Sequence, residues 1–344
     1  MIQQHGGNIS RLENILDFSA NINPLGAPES VRAAIAGSIE SVEVYPDPYC
    51  TELRETIAVH ERISAENIVC GNGADDLIFR IAHAFRPVRA VVCAPTFSEY
   101  SRALAEVNCE VTEHRMTEEN GFALTDSLLE KLSDPVDMCI VCTPNNPTGR
   151  LIPPSIMERI AWKCQENGIV LVCDECFLGF VCGGEEHSLR SCFCGSSIIL
   201  KAFTKLYAMP GIRLGYAVCS SKEIAVRLQS SGQFWSVSGL AQRAGIAALG
   251  EKEYLRKTQE HIAEERSFLA GELSALGVRV FDAAANFLFF RGRAGLCEEM
   301  LREGILIRDC QDYSGLSAGF YRIAVRTRDE NIRLIAALRR CING

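Results

Sequence analysis

The stretch "DMCIVCTPNNPTGRLIPPSIMERIAWKCQENGIVLVC", residues 137–173, contains two apolar, β-rich runs with one amphipathic helical pattern between them. The runs cover 137–142 and 169–173, and the helical pattern covers 154–167. Strands that are apolar throughout and are joined by helices are typical of a parallel sheet that is covered on both faces. This stretch therefore predicts an α/β fold with a mostly parallel sheet sandwiched by helices.

The same alternation continues on both sides of this stretch. Further β-rich runs lie at 67–71, 89–93, 196–200 and 214–219, and a further helical pattern covers 74–86. From about residue 221 the pattern changes to a long charged helix at 251–276, strands at 286–291 and 321–325, and a final helix. This change predicts a smaller α+β domain. We expect three parts, which are an N-terminal arm packing with the small domain (1–35), a large domain (36–245) and a small C-terminal domain (246–344).

Charge and hydropathy exclude two classes of partner. The 344 residues carry a net charge of -8, and no Lys/Arg-rich stripe overrides this acidic balance, so we expect no nucleic-acid partner. The first residues lack the basic and apolar regions of a signal peptide, and no apolar run has the length of a membrane span. We expect a cytoplasmic protein that does not bind a membrane.

The chain contains 16 cysteines, including two CxxC pairs. These pairs, Cys139/Cys142 and Cys173/Cys176, lie in or at the end of β-rich runs. Residues three apart on a strand point to opposite faces, so neither pair suits a shared zinc ion. We interpret the cysteines as small buried apolar residues in a reducing compartment and expect no metal site.

Polar groups follow four of the predicted strands. "GNGADD" follows the run at 67–71 and leads into a helix, so its glycines and the helix N-terminus predict a phosphate-binding turn at Gly73, Ala74 and Asp75. The same letters are also typical of an ordinary turn with a helix cap. Asn146 follows the run at 137–142, and Asp174 follows the run at 169–173.

The fourth strand end carries "FTKLYAMPGIRLG", residues 203–215. Lys205 lies there in apolar surroundings, and Arg213 follows eight positions later. Lys205 is either a lysine that extends its amine to solvent or a partly desolvated amine nucleophile beside an arginine that holds an anion.

Together these groups meet the needs of pyridoxal phosphate. That coenzyme requires a lysine amine, a carboxylate for its pyridinium nitrogen, a phosphate site and an aromatic contact for its ring. Lys205 and Asp174 match the first two, the 71–75 turn with Arg213 matches the third, and Phe97 in "APTFSEY" matches the fourth. Taken singly, Asp174 could cap a helix and Phe97 could be a core residue.

The motifs "GNGAD", "APTFSEY", "PNNPTG", "DEC", "FTK" and "GIRLGY" resemble the fold-type I pyridoxal-phosphate enzymes of the histidinol-phosphate aminotransferase group. The resemblance implies that Lys205, rather than Lys201, carries the coenzyme, because only Lys205 has the family spacing to Arg213. It also implies a homodimer with shared active sites, in which Tyr45 of "YPDP" reaches the phosphate in the neighbouring subunit, and a hydrogen bond from Asn146 to the coenzyme's phenolic oxygen. The implied coenzyme site comprises Tyr45, Gly73, Ala74, Asp75, Phe97, Asn146, Asp174, Thr204, Lys205 and Arg213.

A narrower resemblance is carried by "HGGNI", "LDFSANINPLG", "LIRDC" and "FYRIAVRTRDEN", which are more similar to the threonine-phosphate decarboxylases of cobalamin biosynthesis. It implies that the substrate is a small phosphorylated amino acid, and we expect Arg326 to be a solvated cation. Two positions depart from relatives, since Ala202 stands where they carry Ser or Thr and Phe177 where aminotransferases carry Tyr. The residues implied to surround the substrate are His5, Asn21, Arg308 and Arg322.

Three functions remain open at this point. The first is decarboxylation of threonine phosphate, with serine phosphate as an alternative substrate, because one methyl group gives only about 1–3 kcal/mol of discrimination. The second is amino transfer from histidinol phosphate or an aromatic amino acid, which would use every one of the same coenzyme residues. The third is a non-catalytic relative that binds the coenzyme, against which the complete set of Lys205, Asp174 and Arg213 argues.

Overall fold

A computed structural model describes residues 6–8, 14–133 and 135–343 of the chain. The strands are β1 (Leu16–Asp17), β2 (Ile68–Gly71), β3 (Arg89–Ala94), β4 (Glu110–Arg115), β5 (Met138–Cys142), β6 (Val170–Asp174), β7 (Ser197–Ala202), β8 (Gly215–Cys219), β9 (Arg279–Phe281), β10 (Phe287–Arg291), β11 (Ile305–Leu306), β12 (Arg308–Asp309) and β13 (Phe320–Ala324). The α-helices are α1 (Glu29–Gly37), α2 (Thr51–Glu61), α3 (Ala74–Phe85), α4 (Glu99–Ala105), α5 (Leu128–Lys131), α6 (Pro154–Glu166), α7 (Phe203–Leu206), α8 (Lys222–Ser230), α9 (Gly239–Leu249), α10 (Lys252–Ala275), α11 (Leu296–Arg302) and α12 (Arg328–Asn343).

The large sheet has seven strands in the order β2-β8-β7-β6-β5-β3-β4. Strands β3 to β7 run parallel, whereas β8 is antiparallel to both of its neighbours. The predicted mostly parallel sheet is therefore confirmed. Strand β4 was not predicted, because its sequence "EVTEHR" at the sheet edge is half exposed and lacks an apolar run.

Helices cover both faces of the large sheet, which is why its strands are apolar throughout. Met138, Ile140 and Cys142 of β5 pack with α3, α4 and α8, while Cys139 and Val141 pack with α2, α6 and α9 on the opposite face. The two cysteines of the first CxxC pair thus lie on opposite faces of the sheet, as the strand period requires.

The predicted smaller α+β unit is also present. Its antiparallel sheet has the order β12-β13-β10-β9 and packs against α10, α11 and α12. The N-terminal segment joins this unit, because β1 pairs with β11 and Phe18 enters the same core. Helix α1 instead packs on α9 of the large unit, next to the domain boundaries expected at 35 and 245, which stay a prediction.

The long helix α10, which has 24 residues, carries many charges. Within the described ranges, none of the helices combines the length and the apolar character that a membrane crossing needs.

Candidate active site

The carboxyl ends of the parallel strands border a cavity of about 210 Å³, and the small sheet closes its other side. This position is the usual ligand site of open α/β sheets. The structure brings eleven of the sequence-predicted residues into the cavity wall, and these are Asn21, Ala74, Asp75, Phe97, Asn146, Asp174, Thr204, Lys205, Arg213, Arg308 and Arg322.

Lys205 lies on the short helix α7, directly after β7, and its side chain lines the cavity. Burial lowers the pKa of Lys205 to about 8, with a further contribution from the positive charges of Arg322 and Arg213. A lysine with this pKa has a substantial neutral fraction near neutral pH, as an amine nucleophile requires.

The other lysine of this segment, Lys201, is held in an ion pair outside the cavity wall. Its Nζ lies 3.0 Å from both carboxylate oxygens of Glu61, which also accepts a hydrogen bond from the Tyr216 hydroxyl. Burial alone would lower the pKa of Lys201, but the Glu61 and Glu175 carboxylates outweigh it and raise the pKa. Lys201 is therefore protonated and paired with Glu61, which supports Lys205 as the lysine that carries the coenzyme.

Asp174 is the last residue of β6, and its buried carboxylate lines the cavity. Its Oδ2 accepts a hydrogen bond from the Tyr100 hydroxyl at 2.6 Å, and its Oδ1 accepts one from the Cys176 backbone N–H at 2.9 Å. Both oxygens are therefore held in place. A fixed carboxylate at this point suits the protonated nitrogen of a pyridinium ring.

The turn between β2 and α3 forms a close-packed anion site. Gly73 adopts a φ of 90°, and a Cβ added there would lie 2.7 Å from Nη2 of Arg213. A Cβ on Gly215 would lie 2.6 Å from the backbone nitrogen of Ala74, so β8 also packs tightly on this turn. The N-terminus of α3 and the Arg213 guanidinium thus lie close together, as a phosphate site requires.

Asn146 follows β5 and is joined to the small sheet by Arg322. The Nη1 of Arg322 donates to Oδ1 of Asn146, and the Tyr313 hydroxyl lies 3.5 Å from the same oxygen. With Oδ1 engaged, the Asn146 amide nitrogen remains as a donor. This donor fits the phenolic oxygen that the family resemblance assigns to Asn146.

The remaining predicted coenzyme contacts also lie in the cavity wall. Phe97 makes an edge-to-face contact with Tyr100, with ring centroids 5.7 Å apart. Thr204 is buried beside Lys205, and Ala202 pairs with Gly215 of β8 next to the anion site. Ala202 therefore presents a methyl group, and no hydroxyl, to this part of the cavity wall.

Two arginines form the substrate end of the cavity. Arg308 and Arg322 are direct partners on the antiparallel strands β12 and β13. Arg322 is only 5% exposed and donates to the Ser19 carbonyl at 2.7 Å, while Arg308 donates to the Asp312 carboxylate at 2.7 Å. None of the ion pairs between described residues involves Arg322, so Arg322 is a buried cation without an ion-pair partner in the part of the chain that the structure describes.

The N-terminal segment completes the substrate end of the cavity. Asn21 is buried, and its Oδ1 has no hydrogen-bond partner among the residues that the structure covers. Gly6 lines the cavity, and the backbone N–H of Gly7 donates to Oγ of Ser19 at 2.9 Å. The predicted substrate residue His5 lies outside the described residues.

One predicted coenzyme residue lies elsewhere in this subunit, and one expectation was wrong. Tyr45 is 81% exposed and contacts Trp235, with ring centroids 4.9 Å apart. Arg326 is not a solvated cation, because it lies beyond the end of β13, is partly buried and forms an ion pair of 2.6 Å with Glu330. It also donates to the Asp17 carbonyl, which helps to hold the N-terminal segment.

Several residues of the cavity wall were not predicted from the sequence, and among them Tyr100 and Tyr313 make the most informative contacts. Tyr100 lies three residues after Phe97 and is the last residue of the motif "APTFSEY", so this motif could have indicated it. Tyr313 lies in a loop five residues after Arg308, and no pattern of the sequence indicates that this loop turns back to Asn146.

The chemistry of this wall fits pyridoxal phosphate. It offers an amine of lowered pKa, a fixed carboxylate, an anion site at a helix N-terminus, a donor amide and an aromatic ring. Among the described residues, no group of three or more His, Cys, Asp or Glu side chains is placed to bind a metal ion.

Comparisons with known proteins agree with this assignment. A family model described as aminotransferase class I and II matches residues 13–338. Threonine-phosphate decarboxylase of Salmonella typhimurium is 37% identical over 353 residues, which cover 99% of this chain and 97% of that protein. An adenosylcobalamin biosynthesis bifunctional protein of Leptospira interrogans is 33% identical over 367 residues, which cover 100% of this chain and 41% of that protein.

A solved structure supports the fold over nearly the whole chain. The crystal structure of the histidinol-phosphate aminotransferase from Clostridium acetobutylicum superposes with a TM-score of 0.88 and 30% sequence identity. The superposition covers 96% of this chain and 99% of that chain.

Proposed function

Because the chain belongs to the class I and II aminotransferase family and is a pyridoxal-phosphate-dependent enzyme, we propose that it decarboxylates L-threonine O-3-phosphate. The product would be (R)-1-amino-2-propanol O-phosphate, which would serve cobalamin biosynthesis. The 37% identity to a threonine-phosphate decarboxylase and the match to an adenosylcobalamin biosynthesis protein support this choice over amino transfer.

The pair of arginines at the far end of the cavity carries the proposal. Arg308 and Arg322 are cross-strand partners, so two cations face the same end of the cavity, and among the described ion pairs the Asp312 carboxylate compensates only Arg308. Arg322 is buried without an ion pair among the described residues, and a buried cation is costly without a partner. A dianionic phosphate ester meets this demand better than a single carboxylate does.

The residues at the other end of the cavity hold the coenzyme and move the proton. The turn at Gly73 and the guanidinium of Arg213 would bind its phosphate, and Asp174 would bind its ring nitrogen. When bound, the coenzyme supplies an electron sink for the pair of electrons that remains on the substrate Cα after CO₂ leaves. Lys205 then donates a proton from Nζ to Cα, which replaces the lost carboxylate by hydrogen.

The role of the two arginines also bears on which bond of the substrate would break. The coenzyme would favour breakage of the Cα bond that the protein aligns with its electron sink. If Arg308 and Arg322 bind the substrate phosphate, neither arginine holds the substrate carboxylate. The bond to the carboxylate could then take the reactive position, which would favour loss of CO₂ over removal of the Cα proton.

We also propose that the enzyme is a homodimer with shared active sites. Large apolar side chains are exposed around Tyr45, and contiguous apolar patches of this kind mark interaction surfaces. Tyr45 and Tyr49 contact Trp235 and Phe234 respectively, which makes one continuous aromatic surface. A second copy of the chain covering this surface would place Tyr45 at the partner's phosphate site.

The reaction is tested by product analysis. Purified enzyme with pyridoxal phosphate is incubated with threonine phosphate, with and without 2-oxoglutarate, and CO₂ and glutamate are measured. We expect CO₂ in both cases and no glutamate. Glutamate formed in step with substrate loss, without CO₂, would identify an aminotransferase instead, and parallel reactions with serine phosphate give the substrate preference.

Substitution of Arg308 and Arg322 tests whether these arginines bind the substrate phosphate. Arg308→Ala and Arg322→Ala should each raise KM for threonine phosphate about tenfold or more, since a hydrogen bond to a charged group contributes about 1.5–3 kcal/mol. Arg291→Ala is the matched control, because Arg291 lies on β10 of the same sheet, is outside the cavity wall and is paired with Glu118. Equal changes of KM in all three variants would contradict the assignment.

A further inference from the structure

Tyr100 is a buried residue of the cavity wall to which the proposed reaction assigns no role. It lies on α4 and is 1% exposed. Its hydroxyl donates to Oδ2 of Asp174 at 2.6 Å, across 74 residues of chain. Burial raises the pKa of Tyr100 well above its usual range, so the hydroxyl keeps its proton and can act as the donor.

The same side chain also contacts the aromatic residue of the coenzyme site. The rings of Tyr100 and Phe97 meet edge to face with centroids 5.7 Å apart, a favourable geometry for aromatic pairs. In addition, the backbone N–H of Tyr100 donates to the Phe97 carbonyl at 3.4 Å. Tyr100 thus touches two residues that approach the coenzyme from different directions, Asp174 at the ring nitrogen and Phe97 at the ring face.

We propose that Tyr100 is a positioning residue of the coenzyme site, whose hydroxyl orients the Asp174 carboxylate while its ring orients Phe97. The inference rests on the use of pyridoxal phosphate by the enzyme and holds for decarboxylation and amino transfer alike.

The geometry explains why a second donor on Asp174 matters. The Cys176 backbone N–H alone fixes Oδ1 but leaves the carboxylate free to rotate about its Cβ–Cγ bond. The Tyr100 hydroxyl fixes Oδ2 as well, so the plane of the carboxylate is set before the coenzyme binds. A preset carboxylate loses less freedom when it pairs with a ring nitrogen, and this strengthens binding.

The test is Tyr100→Phe, which removes the hydroxyl and keeps the ring. The coenzyme Kd of the apoprotein is measured by titration of the visible absorbance, without substrate. We expect Kd to rise about tenfold, since the lost hydrogen bond has a charged acceptor. We also expect kcat to fall while KM for the substrate stays within about twofold, because Tyr100 acts through Asp174 and not on the substrate.

Tyr216→Phe is the matched control. Tyr216 is also buried and donates at 2.5 Å to the carboxylate of Glu61, whose side chain is 9% exposed, but Tyr216 does not line the cavity. The two variants lose equivalent hydrogen bonds, so both should lower the melting temperature of the apoprotein. Only Tyr100→Phe should weaken coenzyme binding.

A double-mutant cycle separates positioning from packing. In an Asp174→Ala background, Tyr100→Phe should no longer change the coenzyme Kd, because the residue through which Tyr100 acts is gone. A tenfold loss that persists in that background would overturn the proposal, and so would an unchanged Kd in Tyr100→Phe alone or an equal loss in Tyr216→Phe. These readouts need no turnover, so the proposed reaction can fail while this inference stands.

Discussion

Lys201 lies at the end of β7 and Lys205 lies on α7, yet the surroundings of these neighbouring lysines give them opposite properties. Lys201 is paired with Glu61, which raises its pKa, whereas desolvation of Lys205, with a further contribution from Arg322 and Arg213, lowers its pKa to about 8. Desolvation and the nearest charges, rather than the residue type, therefore decide which lysine can act as a nucleophile.

This contrast predicts the pH dependence of coenzyme capture. Only the neutral amine attacks the coenzyme aldehyde, and at a pH below about 8 most Lys205 side chains carry a proton. The capture rate of the apoprotein, followed by rapid-mixing absorbance, should rise about tenfold per pH unit below this value and level off above it. A midpoint of this pH profile at about 10.4, the pKa of an ordinary lysine, would disagree with the structure.

Borohydride reduction of the loaded enzyme, followed by peptide mapping, then identifies the lysine. We expect the adduct on Lys205. An adduct on Lys201 would show that the ion pair with Glu61 does not persist in the loaded enzyme.

Among the elements, the turn between β2 and α3 depends most on one backbone conformation. Gly73 has a φ of 90°, and a side chain there would meet the end of the Arg213 side chain at 2.7 Å. Gly277, which follows α10, has a similar φ of 75° but has no atom within 4 Å of an added Cβ. Substitutions at these two glycines therefore distinguish the free-energy cost of a side chain at positive φ from the effect of that side chain on the anion site.

Gly73→Ala and Gly277→Ala should both lower the free energy of unfolding by about 1–2 kcal/mol, because an L-residue is strained at positive φ. Only Gly73→Ala should also raise the coenzyme Kd, by about tenfold, since the new methyl group displaces the Arg213 guanidinium. Thermal melts and absorbance titrations measure the two effects. The interpretation fails if Gly277→Ala weakens coenzyme binding to the same extent.

At the scale of the whole molecule, Tyr45 is the one predicted coenzyme residue that the structure describes far outside the cavity wall. Its 81% exposure and its contact with Trp235 suit a residue that serves a partner subunit.

Mixed dimers test this sharing of sites. A Tyr45→Phe chain and a Lys205→Ala chain are each expected to be impaired, Lys205→Ala completely. A heterodimer of the two contains one site with both native residues, so it should recover up to half of the activity per dimer of the parent enzyme. The control is a heterodimer of one parent chain and one chain that carries both substitutions. In this control, the site with an intact Lys205 receives the substituted residue 45 from the other chain, so activity should not recover. Isolated heterodimers without recovery would show that Tyr45 acts within its own subunit.

The α/β architecture and the order of the proposed coenzyme residues along the chain could be predicted from the sequence. Buried parallel strands must be apolar on both faces, so β5 and β6 could be recognised from their residues. Asn146, which follows β5, and Asp174, which ends β6, were expected at one edge of the sheet, because parallel strands end on the same side. The edge strand β4 escaped prediction, since exposure there permits charged residues.

The contacts between side chains became apparent only from the packing of the folded chain. Arg322 reaches Asn146 across 176 residues of chain, and it faces Arg308 because of the register between β13 and β12. Tyr100 donates to Asp174 because α4 packs where β6 ends. Such contacts depend on register and packing between distant segments, and a change of one residue in strand register would turn each side chain to the opposite face.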